Sequence, residues 1–170
     1  MSNVYLVGMM GSGKSVTAKK LAALLGCGFV DLDQWIEERH HRSINEIFEK
    51  EGEAFFRGEE SEILKEVCGA GPRVVATGGG TVLRPENVER MRATGKIIFL
   101  AATLEVLWER VKAKKDRPLL KGQDPKASLA GIFQVRRPVY EKVCDFSVNT
   151  DGQTAEAVAR KIMEALRKQS

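Results

Sequence analysis

Apolar residues run without a polar break from Val4 to Val7 and stop at Gly8, a pattern that predicts a buried strand. A glycine-rich turn follows. Apolar positions at Val16, Leu21, Leu24 and Leu25 then predict a helix that Gly26 ends. The next short run, GFVDLD, predicts a second strand with Asp31 and Asp33 at or just past its end. Residues 34–51 predict two short helices broken at HRSINE, where Ser43 caps the second helix and Glu46 completes a capping box. A further helix is predicted over 53–67, stopped by CGAGP. These three helical pieces form an insertion between strands, long enough to wall a substrate site.

RVVATGGGT predicts a third strand over 73–76 with a triple glycine at its carboxyl end. Pro85 starts another helix, Gly95 ends it, and KIIFLA is a fourth strand. The helix after Thr103 runs into the basic stretch KAKKDRPLLKG, interrupted by Pro118, and Asp124 and Pro125 suit the N-cap and first turn of a helix continuing towards Tyr140. DFSVNT predicts the last strand, and 154–168 a final amphipathic helix capped by Asp151 and Thr154. Strands alternating with helices imply an α/β fold with a mostly parallel sheet covered on both faces. Sites in such sheets form beyond the carboxyl ends of the strands, where Gly8, Asp33 and Gly78 to Gly80 all fall.

Composition narrows this to one globular domain. The chain has 170 residues, 43% hydrophobic and 29% charged, and carries no repeat or low-complexity tract. The amino terminus lacks a secretory pattern, and no apolar run reaches membrane-spanning length. Cys27, Cys68 and Cys144 are widely separated, suggesting neither a disulfide framework nor a zinc site, so a cytoplasmic protein with reduced thiols is expected. Net charge is +4, but its distribution says more: residues 37–66 hold ten Glu, and residues 110–126 hold seven Lys or Arg against two Asp. That basic segment suits a small polyanion. Without aromatic interleaving or a recognisable module, it does not suit nucleic acid.

GMMGSGKS, residues 8–15, matches the phosphate-cradling pattern G-x-x-x-x-G-K-[ST] in the strand, loop and helix context that the pattern requires. Glycines let backbone N–H groups turn inward around phosphate oxygens, and the following helix adds its free N-terminal donors. Gly11, Ser12, Gly13, Lys14, Ser15 and Val16 are therefore candidate nucleotide contacts, with Lys14 on the β and γ phosphates and the Ser15 hydroxyl on Mg²⁺. Of the Asp31 and Asp33 pair, one carboxylate could organise the metal and the other orient a substrate hydroxyl; helix capping is the alternative for Asp33. The guanine-reading N-K-x-D is absent, which argues against a GTPase. Phosphate transfer to something small remains, with a nucleotide-dependent binding protein that performs no transfer as the other class.

GMMGSGKS, DLD, SINEIFEKEGEAFFRGEE, ATGGG, RPLL and RRPVY occur in the order and approximate spacing of the shikimate kinases, which the whole chain resembles. The resemblance implies a P-loop fold like that of the nucleoside monophosphate kinases. It would have three layers, α/β/α, around a five-stranded parallel sheet in the order 2-3-1-4-5, as a single kinase domain over 1–170 with a substrate-binding segment near 32–62 and a mobile lid near 111–125. It implies transfer of the γ-phosphate of ATP, with Mg²⁺, to the 3-hydroxyl of shikimate in aromatic amino-acid biosynthesis, by a monomer with no nucleic-acid or membrane partner. Gluconate or nucleoside monophosphate kinases are the nearest competitors.

Residue by residue, the resemblance assigns Arg57 and Arg136 to the substrate carboxylate, Asp33 to the reacting hydroxyl, and Gly78, Gly79 and Gly80 to close approach of the ring. It assigns Arg117 to the transferring phosphate, Arg110 to the adenine, and Ser15 with Asp31 to the metal. Gln153 stands where the resemblance places an adenine-side arginine in some related enzymes. Phe56 is expected beside Arg57, Phe55 in an ordinary core contact, and Glu60 either fixing Arg57 or solvated. Lys112, Lys114 and Lys115 would tune the lid's field.

Overall fold

A computed structural model describes residues 2–114 and 116–169, so the expectation for Lys115 lies outside the described residues. Five parallel strands, β1 (Asn3–Val7), β2 (Gly28–Asp31), β3 (Arg73–Ala76), β4 (Gly95–Ala101) and β5 (Phe146–Asn149), form one sheet in the order β2-β3-β1-β4-β5. The registers Val4 with Val74, Val4 with Lys96, and Ile98 with Phe146 align their carboxyl ends along one rim.

The continuous apolar run of β1 is explained by its central place. Val4 and Leu6 face a core layer shared with α1 (Lys14–Leu25) and α8 (Ala155–Lys168), while Tyr5 and Val7 face the opposite layer. Covering that second face are α4 (Glu53–Gly69), α5 (Pro85–Thr94), α6 (Leu104–Val111) and α7 (Pro125–Val143), which contribute Leu64, Met91, Leu107 and Leu129 to one cluster. No helix among the described residues is long and apolar enough to cross a membrane.

Between β2 and β3 the chain builds α2 (Leu32–His40) and α3 (Ile44–Glu51) before entering α4. The predicted break is real: Ser43 Oγ accepts from the Glu46 amide, and the Glu46 carboxylate accepts from the Ser43 amide at 2.8 Å. One alternative falls and two expectations change. The second strand ends at Asp31, which itself caps α2 by accepting from the Gln34 amide at 3.2 Å, so Asp33 sits inside the first helical turn and is not the cap. Val16 is 58% exposed, because the buried stripe of α1 runs through Thr17, Ala18, Leu21 and Ala22 and leaves Val16 on the open side. Phe55 is 37% exposed and meets the edge of the His40 ring, while Phe56 takes the core position.

At the carboxyl end, Thr154 caps α8 as expected. Asp151 instead accepts from the Thr103 amide and braces the start of α6.

Candidate active site

The loop from β1 to α1 carries the phosphate cradle. Gly11 and Gly13 have φ of 81° and 87°, a left-handed backbone that glycine adopts without a Cβ penalty, and a Cβ on Gly11 would come within 2.7 Å of Val111 Cγ1. Lys14 reaches back over this loop and donates to the carbonyls of Gly8 and Met9, each at 2.8 Å. Burial lowers its ammonium pKa to about 8, with the Arg117 and Arg136 charges pulling the same way and the Asp33 carboxylate opposing them. The Ser15 hydroxyl donates to the Asp31 carboxylate. Hydroxyl and carboxylate oxygens are hard ligands of the kind Mg²⁺ takes. The described residues hold no cluster of three acidic, histidine or cysteine side chains.

Beside the cradle lies a cleft of about 280 Å³ bounded by the ends of β2 and β3, by α2 and α3, and by the segment before α7. Ser15, Asp31, Asp33, Arg57, Gly78 to Gly80, Arg117 and Arg136 all line it, so the structure gathers these predicted residues around one space. Arg110 stands apart. Its guanidinium is fastened to the Gly11 carbonyl, the Thr150 hydroxyl and the Thr150 carbonyl at 3.0–3.1 Å, locking α6 to the cradle and the end of β5. Gln153 donates to the Asn149 carbonyl at 2.6 Å and braces the neighbouring turn.

Burial raises the Asp33 carboxyl pKa to about 7, helped by the Glu60 and Asp31 charges and opposed by Lys14 and Arg117. Its Oδ1 is buried without a hydrogen-bond partner among the described residues. A carboxylate poised near neutrality with an open acceptor, facing a cleft, can receive a hydroxyl proton.

Arg57 and Arg136 approach from different helices. Arg57 lies over the Phe56 ring at 5.2 Å and donates to Glu60 Oε2 at 3.0 Å; Glu60, fully buried, also accepts from the Thr81 hydroxyl at 2.5 Å. Glu60 is thus a fixed counter-charge and not a solvated one. Arg136 is 6% exposed and has no carboxylate within ion-pair distance among the described residues.

None of Gly78, Gly79 and Gly80 has a positive φ. A Cβ on Gly78 would overlap Glu60, one on Gly79 would stand 3.1 Å from Arg136 Nη1, and one on Gly80 would overlap the Arg57 guanidinium. The triple glycine therefore makes room for the site's own charged side chains, a reason that the run of glycines alone does not disclose. Sequence reasoning also passed over Tyr140 and the apolar wall of Ile44 and Phe48. Ile44 and Phe48 share a face of α3 at i, i+4, and Tyr140 lies one turn after Arg136, so helical spacing was the available signal.

Across the cleft, Arg117, Pro118 and Leu119 form the remaining wall, and Leu120 is buried in the main core cluster. Lys121 donates to Glu49 of α3 at 2.6 Å, joining the two walls.

Comparison with known proteins gives the same grouping. A family model described as shikimate kinase matches residues 10–167. The shikimate kinase of Halorhodospira halophila is 44% identical over 168 residues, covering 99% of this chain and 95% of its own. That of Thermodesulfovibrio yellowstonii is 43% identical over 164 residues, 96% and 94% of the two chains. A solved shikimate kinase from Acinetobacter baumannii, in complex with shikimate, superposes with a TM-score of 0.97 at 35% identity over 100% of this chain and 95% of its own. With the match spanning nearly every element that builds the cleft, the protein belongs to the shikimate kinase family.

Proposed function

We propose that the protein transfers the γ-phosphate of ATP to the 3-hydroxyl of shikimate, giving 3-phosphoshikimate and ADP. The observation that carries the acceptor is Arg136, a nearly buried guanidinium facing the cleft with no carboxylate among the described residues within ion-pair distance. A buried charge left unpaired is costly, so the site is built to be completed by an anionic ligand. Arg57 faces the same cleft, and a planar guanidinium suits bidentate capture of a carboxylate. Ile44, Phe48 and Phe56 give that ligand an apolar wall, which a ring satisfies better than an open polyhydroxy chain such as gluconate.

The reading assigns roles in order. The cradle amides and Lys14 hold the donor phosphates. Ser15 and Asp31 would hold Mg²⁺, which would supply charge neutralisation to the donor phosphates when bound. Arg57 and Arg136 clamp the acceptor carboxylate and so turn the far side of the ring towards Asp33. Asp33 orients the reacting hydroxyl and takes its proton, while Arg117 and Lys14 stabilise charge on the transferring group. Arg110 and Gln153 are assigned to the adenine side by the family resemblance, which the hold of Arg110 on the cradle's edge supports.

Residues 32–62 act as the acceptor wall and 111–125 as a lid that excludes water once Arg117 is inside. All these groups come from one chain, which supports a monomer as the working unit. ATP as donor and three free thiols support a cytoplasmic setting.

The test is turnover with ATP, Mg²⁺ and each of shikimate, gluconate, AMP and CMP, with direct detection of the phosphorylated product. Selective formation of 3-phosphoshikimate is expected; preferential turnover of another acceptor, or binding of shikimate and ATP without product, would sink the reading.

A further inference from the structure

Tyr140 does not line the cleft, yet several parts that shape the cleft meet at its side chain. The residue is fully buried, with its ring stacked on Phe99 of β4 at 5.2 Å between centroids and 26° between planes. Its phenol donates to the Gly79 carbonyl at 2.5 Å and lies 4.0 Å from Met9 Sδ in the cradle loop. Arg136, one helical turn earlier in α7, comes to the same glycine: a Cβ on Gly79 would stand 3.1 Å from Arg136 Nη1 and 3.5 Å from the phenol oxygen.

The peptide unit gripped in this way is an unusual one. It joins Gly79 to Gly80, so no Cβ on either side resists rotation of its plane. The carbonyls on both sides are used locally, Gly78 by the Thr81 amide at 3.2 Å and Gly80 by the Leu83 amide at 3.0 Å, while the Gly79 carbonyl turns away to Tyr140. All described peptides are trans, so the Gly80 N–H points opposite to that carbonyl, away from Tyr140.

We propose that the Tyr140 hydroxyl is a positioning residue for the acceptor half of the cleft: by engaging the Gly79 carbonyl, it fixes the Gly79–Gly80 peptide beside which the buried Arg136 guanidinium lies. The hydroxyl is suited to this because it donates a directed bond from the end of a rigid, packed ring. Burial raises the phenol pKa to about 12, so it remains a donor throughout the neutral range. The ring supplies packing and the oxygen supplies orientation, which makes the two separable.

The kinetic consequence rests on the acceptor reading above, whereas the structural one does not. Tyr140→Phe keeps the stack and removes the oxygen. It is expected to raise the shikimate KM about tenfold, leave the ATP KM within about twofold, and broaden the Gly79 and Gly80 amide resonances of the ligand-free protein through exchange. Phe99→Leu, which loosens the same ring but keeps the oxygen, is expected to lower Tm without either effect. A Tyr140→Phe protein with sharp, unshifted Gly79 and Gly80 amides overturns the proposal, as does an unmoved shikimate KM in an active enzyme. If wild-type protein fails to turn over shikimate, the acceptor reading falls and the amide spectra alone decide the positioning role. Should Tyr140→Phe not fold, the wild-type hydroxyl proton decides: slow exchange with a contact to the Gly79–Gly80 unit upholds the proposal, and rapid exchange overturns it.

Discussion

In the proposed reaction Asp33 combines a functional need with a folding cost. Its carboxyl pKa is raised to about 7, first by burial and then by the Glu60 and Asp31 charges, against an ordinary value of 3.8. The folded protein thus binds the Asp33 proton more tightly than the unfolded chain does. This residue's contribution is fully present below the unfolded value and lost as pH rises through about 7. Asp33→Asn, which cannot ionise, is expected to abolish most turnover yet raise Tm at pH 8 by roughly 2–4 °C, the equivalent of about 1 kcal/mol, with a smaller gain at pH 5. Thermal melts at the two pH values check it, and a lower Tm at pH 8 defeats the assignment. The same shifts predict a bell-shaped kcat/KM for shikimate. Activity rises as Asp33 loses its proton near pH 7 and falls as Lys14 loses its own near pH 8. A profile flat from pH 6 to 9 would remove both groups from the chemistry.

Two glycines, one in the loop after β3 and one opening β4, separate site geometry from fold stability. Gly80 has φ −96° and ψ 0°, which any residue adopts, and the nearest atoms to a Cβ there are those of the Arg57 guanidinium, the far end of a long side chain. Gly80→Ala should therefore fold with Tm nearly unchanged while displacing the guanidinium, raising the shikimate KM tenfold or more, by about 1.4 kcal/mol at least. A Cβ on Gly95 instead overlaps the Asn3 backbone in the neighbouring strand, so Gly95→Ala should cost roughly 1–3 kcal/mol of stability with KM unmoved. Equal effects of the two on KM would refute the distinction. Such contrasts also mark what the sequence could tell. The capping box at Ser43, the strand at 73–76 and the Pro125 helix start were legible because each is set by residues within four positions of one another. Val16 and Phe55 were misplaced because an apolar residue near a helix start does not reveal which way the helix rolls onto the sheet. Tyr140 gripping Gly79 joins residues 61 apart, and Glu60 accepting from Thr81 joins residues 21 apart; neither bond has a local signature.

Donor and acceptor halves of the cleft stand on one sheet. The cradle follows β1, Asp33 follows β2, the triple glycine follows β3, and Arg136 enters from α7, whose Leu129 and Tyr140 belong to the same core cluster as Val7 and Val75. A ligand bound at either half therefore stabilises the whole cooperative unit. Each ligand at about one hundred times its Kd should add about 2.7 kcal/mol, roughly 5–10 °C in Tm for a chain of this length. Arg57→Lys keeps the charge but loses the planar fork, so the shift given by shikimate should shrink or vanish while the shift given by Mg²⁺ and a non-hydrolysable ATP analogue persists. Calorimetry of the variant with each ligand separately makes the measurement. A single transition that moves with nucleotide alone is expected; loss of both shifts together would mean that Arg57 holds up the cleft as a whole and not the acceptor, and two resolved transitions would mean that the halves do not share a core.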